Sequence, residues 1–184
     1  MHPTSRKDLR MKRMLGMGLI LLLCSAGFAK ETKTNGKTVE LKDAQGQSVG
    51  LAQIKPGTKG VIVELHLKNL PPGQHAVHFH ATAKCEAPDF KSAGGHFNPA
   101  GKKHGLENPE GPHNGDMPNI MVRSNRTAKA KLTDRDVTLG ASSEANSLFA
   151  NGGTAIVVHE KADDMKTDPA GNSGNRIACG VITP

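Results

Sequence analysis

The sequence predicts an all-β domain, a β-sandwich or flattened barrel built from eight short strands. Its apolar runs are short, turn residues rich in Gly and Pro separate them, and no window of a dozen residues shows helical periodicity. Two stretches, 81–119 and 160–178, are long and poor in aliphatic residues. Loops of this length in a compact domain are usually functional or disordered. We therefore expect a β scaffold with its chemistry on two long loops.

The strands follow from apolar runs between turn signals. The turns Gln45-Gly46, Lys55-Pro56-Gly57 and Pro71-Pro72-Gly73 supply the positive or fixed φ that a chain reversal needs. Strands without helices bury their apolar faces against one another, which favours a sandwich or barrel. The predicted strands span 38–42, 49–54, 61–67, 74–80, 120–123, 128–132, 154–159 and 180–182.

Residues 1–29 have the order of a secretory signal peptide. Basic residues precede the apolar run Met14–Leu23, and Gly27 and Ala29 stand where a signal peptidase requires small side chains. Ten residues at about 1.5 Å each are too short to span about 30 Å of hydrocarbon, although a short membrane anchor is the alternative. Met11 is an alternative start, and Cys24 an alternative lipidation site, disfavoured by Leu23 before it. We expect export to a periplasm or other extracytoplasmic cell envelope.

Removing this segment changes the charge and the cysteine count. It carries five of the 24 basic and one of the 17 acidic residues, which leaves a net charge of +3. No basic cluster with interleaved aromatics remains, so we expect no nucleic-acid partner. The shortness of the apolar run predicts no stable membrane span. Two of the three cysteines remain, Cys85 and Cys179. An oxidising compartment favours one disulfide, with two free thiols as the alternative.

After a flexible segment at 30–37, the domain at 38–184 contains an unusual group of histidines. His78 and His80 lie two apart on a predicted strand and therefore point to the same face. Two imidazoles on one rigid face suit a metal that prefers nitrogen, although one buried and one exposed histidine is the ordinary alternative. His159 ends another apolar run and can complete a nitrogen-rich site suited to copper(II).

The first long loop holds a second candidate set, His96, His104, His113 and Asp116. Three imidazoles and one carboxylate fill a tetrahedral zinc site and leave no open position, as structural zinc sites do. The alternative is scattered surface histidines. His66 is predicted to face solvent, and His75 to be structural because its parity differs from that of His78.

Five motifs resemble those of copper/zinc superoxide dismutases, in the family's order across residues 38–184. They are His75-Ala-Val-His78-Phe-His80, Gly95-His96-Phe97-Asn98-Pro99, Lys103-His104-Gly105 with His113-Asn-Gly-Asp116, His159-Glu-Lys-Ala-Asp163-Asp164, and Asn175-Arg176-Ile-Ala-Cys179-Gly180. The resemblance implies a Greek-key, immunoglobulin-like sandwich. It also implies one copper and one zinc in each subunit.

The resemblance implies these site residues. Copper would be held by His78, His80, His96 and His159. Zinc would be held by His96, His104, His113 and Asp116, with the His96 ring shared. Asp163 would link His78 and His104. Cys85 and Cys179 would form an intrasubunit disulfide, and Arg176 would attract the anion beside the copper.

The implied reaction is the disproportionation of superoxide to oxygen and hydrogen peroxide, an antioxidant activity. The alternative is a dismutase-like protein that binds copper or zinc without turnover. Departures from the family pattern, among them Ala81 after His80 and the absence of Trp and Tyr, bear on the subunit contact. Monomer and homodimer therefore both remain open.

Overall fold

A computed structural model describes residues 36–184, and nine strands account for the regular structure of that range. The strands are β1 Lys37–Lys42, β2 Ser48–Pro56, β3 Val61–Leu67, β4 Gly73–His75, β5 Val77–His80, β6 Ile120–Val122, β7 Ala128–Asp134, β8 Thr154–His159 and β9 Arg176–Ile182. Two short 3₁₀ turns, Lys91–Ala93 and Ala150–Gly152, are the only helical segments in the described range. The all-β prediction is confirmed.

The strands form a curled antiparallel sheet in the order β5-β8-β9-β1-β2-β3-β7, with β4 and β6 paired beside it. Strands β1, β2 and β3 are sequential neighbours, and β9 lies next to β1. This arrangement, in which a strand from the end of the chain returns beside the first of three consecutive strands, is that of a Greek key. The flattened-barrel prediction and the strand connections implied by the resemblance therefore agree with the structure.

Alternation along the strands places the core inside the curled sheet. On β3, Val61, Val63 and Leu65 are fully buried while His66 is exposed, which confirms its predicted orientation. Most buried apolar side chains of the other strands join the same cluster, whereas Ala155, Val157 and Cys179 belong to a second, smaller one. In contrast, all six side chains of β8 are buried, because loops cover its outer face.

The structure corrects several sequence predictions. The single strand expected at 74–80 is divided at Ala76, whose N–H and carbonyl pair with the Lys161 carbonyl and the His159 N–H. The last strand begins at Arg176 instead of Gly180, so the second long loop ends at 175. A third long connection, 135–153, agrees with the absence of a predicted strand between 132 and 154, but it was not counted among the long loops; its Leu139 and Leu148 are buried.

The predictions for the N-terminal region fall mostly on residues outside the described range. The signal peptide at 1–29 and most of the segment at 30–37 lie outside the described residues, whereas Lys37 already begins β1. Within residues 36–184 there is no helix with the length and apolar character needed to cross a bilayer.

One buried carboxyl group, that of Asp134, lies at the end of β7. Asp134 is 3 % exposed, its Oδ1 accepts the Asp136 N–H at 2.9 Å, and its Oδ2 has no hydrogen-bond partner. Burial raises the pKa of Asp134 to about 8, and the negative charges of Asp136 and Asp116 act in the same direction. The folded protein therefore retains a proton that the unfolded chain releases above about pH 4.

We expect Asp134→Asn to stabilise the protein increasingly as pH rises. Because the folded pKa is raised, the contribution of Asp134 to stability is present at low pH and is lost between about pH 4 and pH 8. The amide does not titrate. The gain in unfolding free energy of the variant over the natural protein should grow by on the order of 2–4 kcal/mol between pH 5 and pH 8.

Urea unfolding of both metal-loaded proteins at several pH values tests this expectation. Asp89→Asn is the control, because Asp89 is an exposed aspartate paired with Lys91. Its stability difference from the natural protein should not change with pH over this range. Parallel stability curves for Asp134→Asn and the natural protein would contradict the expectation.

Candidate metal centre

The candidate site is built on β5 and on the loop 81–119 that follows it. One edge of β5 pairs with β8, and the other edge receives the loop, because the N–H of Phe97 donates to the Phe79 carbonyl at 2.8 Å. Isolated bridges align His80 with His96 and His78 with Asp116. Residues distant in sequence thus meet on one face of β5.

The first group of side chains contains four imidazoles, and their ligand atoms lie within 4.8 Å of one another. Its members are His78, His80, His96 and His159. The ring centroids of His78 and His96 are 4.0 Å apart, and Nε2 of His80 lies 3.2 Å from Nε2 of His159. These are the four residues that the resemblance assigns to copper.

Hydrogen bonds orient two of these rings so that one nitrogen of each points into the first group. Nδ1–H of His80 donates to the Gly94 carbonyl at 3.0 Å, which leaves its Nε2 free. Ser173 Oγ donates to the Ala170 carbonyl at 2.8 Å and therefore accepts from Nδ1 of His159 at 3.1 Å. With their hydrogens on Nδ1, the two Nε2 lone pairs face each other, an arrangement that a cation between them stabilises.

The electrostatics of the first group favour the neutral form of His80, His96 and His159. Burial lowers the pKa of His80 well below its ordinary value. Burial, together with the neighbouring rings of His78 and His96, lowers the pKa of His159 to about 3. Burial also lowers the pKa of His96 to about 4, although Asp116 opposes this effect. Neutral imidazole is the form that binds a metal.

The second group surrounds one carboxylate oxygen. Its members are His96, His104, His113 and Asp116. Oδ1 of Asp116 lies 3.0, 3.1 and 3.4 Å from Nδ1 of His96, His104 and His113, respectively. Ligands about 2.0 Å from a tetrahedral zinc ion are about 3.3 Å from one another. The spacing therefore fits the zinc set that the resemblance implies.

The other oxygen of Asp116 is fixed by the backbone. Oδ2 accepts the N–H of Gly105 at 2.8 Å and that of His113 at 3.0 Å. Burial favours the neutral acid, but the surrounding imidazoles outweigh it and hold the pKa of Asp116 far below its usual range. The second group thus contains a permanent negative charge that a cation can neutralise.

His96 belongs to both groups through different atoms. Its Nδ1 faces Asp116, while its Nε2 is buried and has no hydrogen-bond partner. Nδ1 of His78 is also buried without a partner, and Nδ1 of His104 makes no hydrogen bond although it lies 3.1 Å from Oδ1 of Asp116. Orphaned buried nitrogens are costly unless something binds them. Their positions fit two metal ions bridged by one ring.

Asp163 connects the two groups by contacting one ring of each. Its Oδ2 lies 2.7 Å from Nε2 of His78, and its Oδ1 lies 3.0 Å from Nε2 of His104. Burial opposes ionisation, but these two rings outweigh it and hold the pKa of Asp163 well below its usual range. The bonds leave Nδ1 of both rings free for a metal, which is how outer carboxylates orient metal ligands.

The Arg176 side chain lies beside the first group. Its two terminal nitrogens donate to the carbonyls of Phe90 and Gly94, each at 2.6 Å. The Gly94 carbonyl also accepts from the His80 ring, so one oxygen contacts both the guanidinium and a candidate ligand. Burial lowers the pKa of Arg176 from its ordinary value, but a guanidinium stays protonated in proteins, so its charge is permanent.

The expected disulfide is present between Cys85 and Cys179, which are 94 residues apart. It joins the first long loop to β9 and packs in a small apolar cluster with Phe90. Since the carbonyl of Phe90 binds Arg176, the disulfide lies next to the support of that side chain. His75, in contrast, lies outside both groups, and its ring contacts the carbonyls of Pro71 and His159.

Sequence reasoning missed several supporting residues, among them Asn119, Ser173 and Gly171. Asn119 makes a reciprocal pair with the backbone of Asp163, accepting its N–H at 2.8 Å and donating to its carbonyl at 2.9 Å. Ser173 orients His159 through its hydroxyl oxygen. Gly171, with φ of +60°, packs directly against Asp163. Ordinary loop residues carry no signal in a single sequence, so only the structure identifies them.

We expect Gly171→Ala to weaken metal binding. A Cβ at this position would lie 2.6 Å from Nε2 of His104 and would collide with Oδ1 of Asp163. Displacing an outer carboxylate typically costs 10–100-fold in metal affinity, so we expect a loss of roughly 10-fold or more. Competition with a chelator measures the affinity for zinc and for copper.

Gly101→Ala is the matched control for this substitution. Gly101 also has a positive φ, +64°, and lies in the first long loop, but a Cβ there would meet nothing within 4 Å. Both variants therefore carry the strain of a left-handed alanine, about 1 kcal/mol. Equal metal affinities in the two variants would contradict the expected role of Gly171.

The fold and the site together define a Greek-key metalloprotein with a nitrogen-rich centre and a zinc-like centre that share one imidazole. The family model of copper/zinc superoxide dismutase (SODC) matches residues 46–182. The chain belongs to this family, whose members bind copper and zinc and act as oxidoreductases.

Individual relatives agree with this assignment. The chain is 48 % identical to superoxide dismutase [Cu-Zn] 2 of Aquifex aeolicus, over 94 % of this chain and 99 % of the relative. It is 41 % identical to the superoxide dismutase [Cu-Zn] of Caulobacter vibrioides, over 79 % and 84 % of the two chains. The crystal structure of a SOD-like protein from Bacillus subtilis is similar with a TM-score of 0.76 and 36 % identity, covering 80 % of this chain and 99 % of that one.

Proposed function

We propose that this chain disproportionates superoxide to oxygen and hydrogen peroxide with a copper and a zinc ion held by the two groups described above. The copper ligands are His78, His80, His96 and His159, and the zinc ligands are His96, His104, His113 and Asp116. The observation that carries the proposal is the position of His96, which presents one nitrogen to each group. Bound copper supplies one-electron exchange with superoxide, and bound zinc supplies a fixed positive charge.

The histidine shared by the two groups has the role of a proton carrier. Nε2 of His96 is buried among the copper ligands and has no protein partner, so a proton held there can be donated only to a molecule in the site. Its Nδ1 faces Asp116, which keeps the ring in place while Nε2 exchanges its proton. The reaction consumes two protons, and a ring fixed in this way can deliver one of them.

Arg176 has the role of attracting and orienting the anion. Its guanidinium is fixed by two backbone carbonyls and presents permanent positive charge next to the His80 ring. It lines a surface cavity of about 480 Å³ together with Lys91, which pairs with the carboxylate of Asp89 in the same lining, and Asn175. A small anion fits this cavity, and fixed positive charge raises the capture rate of an anion, an effect for which superoxide dismutases are themselves a standard example.

Reconstitution with defined metals tests the proposed activity. Superoxide decay, followed by pulse radiolysis, should accelerate with protein that contains copper and zinc but not with protein that contains zinc alone. Protein that binds both metals at these residues and still leaves the decay unchanged would overturn the proposed activity. That result would support the alternative, a dismutase-like protein that binds metal without turnover.

We also propose that residues 1–29 export the protein to the cell envelope. The basic, apolar and small-residue order of the segment supports this proposal, as does the Cys85–Cys179 disulfide, since such bonds persist in oxidising compartments. Mass spectrometry of the mature N-terminus should find Lys30 first, and an intact N-terminus in exported protein would contradict the cleavage.

Sedimentation equilibrium would distinguish a monomer from a homodimer.

A further inference from the structure

Asp168, in the second long loop, contacts the backbone of a residue in the zinc-like group. Its Oδ1 accepts the backbone N–H of His104 at 2.8 Å, across 64 residues of sequence. The same oxygen lies 3.8 Å from Nε2 of His113, and Oδ2 lies 3.5 Å from Nζ of Lys103. One carboxylate therefore adjoins two of the four members of that group.

These contacts belong to a larger docking of one loop on the other. The N–H of Glu107 donates to the Met165 carbonyl at 3.0 Å, and the Asn108 amide donates to the Lys166 carbonyl at 3.2 Å. Gly105 permits the approach, since a Cβ there would collide with the Met165 backbone. The segment 165–168 thus lies along the segment 103–108, and Asp168 is its contact with a candidate ligand.

The contact of Asp168 differs from that of Asp163. Asp163 holds the His104 ring at Nε2, whereas Asp168 holds the main chain from which the ring extends. A ring position is determined by both its backbone and its far nitrogen, so either contact alone leaves Nδ1 free to move. The Asp168 side chain is 38 % exposed, so its charge is screened by solvent and the hydrogen bond is its main contribution.

We propose that Asp168 is a positioning residue for the zinc centre, which fixes the backbone of His104 so that Nδ1 stays directed at Asp116. This inference rests on the proposed function, because it assumes that the second group holds zinc. It also gives the second long loop a part in zinc binding through a residue outside the ligand set. Loss of this bond should therefore weaken zinc binding with little change in copper binding.

Zinc affinity, measured by competition with a chromogenic chelator on protein already loaded with copper, tests the inference. Asp168→Ala should raise the zinc dissociation constant by roughly 10–100-fold. Asp168→Asn keeps an acceptor oxygen, so its zinc dissociation constant should stay within about threefold of that of the natural protein. The smaller effect is expected because only a screened charge is lost. Cobalt(II) bound in place of zinc should show a changed visible spectrum in Asp168→Ala alone.

Asp43→Ala is the matched control, because Asp43 also accepts backbone N–H groups, those of Gln45 and Gln47, in a turn away from the site. It should leave zinc affinity unchanged. The inference would be overturned, and the proposed function left intact, if Asp168→Ala bound zinc as tightly as the natural protein does. The same would follow if Asp168→Asn lost as much zinc affinity as Asp168→Ala. Absence of zinc binding in the natural protein would instead overturn the proposed function.

Discussion

Replacing His159 with alanine is expected to abolish superoxide removal, with a loss of roughly 100-fold or more. Even an outer group commonly changes metal affinity or activity 10–100-fold, so a side chain of the first group should have a larger effect. Nε2 of His159 faces Nε2 of His80, so its removal opens one side of the group. The zinc content should persist, because His159 is not a member of the second group.

The measurement combines pulse radiolysis with metal analysis of the reconstituted variant. His66→Ala is the control, since this histidine is exposed on β3 and lies in neither group. It should retain the activity and both metals. Undiminished activity in His159→Ala would refute the assignment of His159 to the copper centre, and loss of zinc together with copper would show that the two groups are not separable in this way.

Replacing Cys85 with serine is expected to cost about 4 kcal/mol of unfolding free energy. A disulfide restricts the unfolded chain more as the enclosed loop grows, and a loop of about 100 residues corresponds to about 4.7 kcal/mol in the chain-entropy model. The separation of Cys85 and Cys179, 94 residues, is close to that length. At about 2–4 °C per kcal/mol, the melting temperature should fall by about 10 °C.

Urea unfolding of Cys85→Ser and of the natural protein, without reductant, measures this difference. The natural protein unfolded under reducing conditions is the control and should match the variant, since both lack the same covalent link. A difference below about 1 kcal/mol between the variant and the oxidised natural protein would contradict the expected contribution of the disulfide.

The sequence predicted the scaffold well wherever an apolar run met a clear turn. The bounds of Val61–Leu67 and Thr154–His159 agree with the structure because a glycine precedes each segment and a charged residue follows it. The break at Ala76 was missed because no turn residue marks it, and the chain changes partners there through backbone bonds. Such long-range pairing has no local sequence signal.

In the candidate site, too, some residues could be predicted from the sequence and others could be identified only from the structure. Histidines and aspartates in family motifs identified both groups, because their chemistry is specific and their spacing is unusual. Asn119, Ser173 and Asp168 were not identified, although each orients the site. Their side chains are common in loops, and their partners lie 14 to 64 residues away, so only the folded arrangement gives them a role.

The carbonyl of Gly94, which accepts from both His80 and Arg176, has a consequence for protein design. Because the acceptor is a peptide oxygen, it is present whatever residue stands at position 94, and the φ of +77° there makes glycine the residue that best preserves its placement. The two hydrogen bonds themselves depend on the side chains of His80 and Arg176. Design of altered anion selectivity must therefore treat metal geometry and anion capture together.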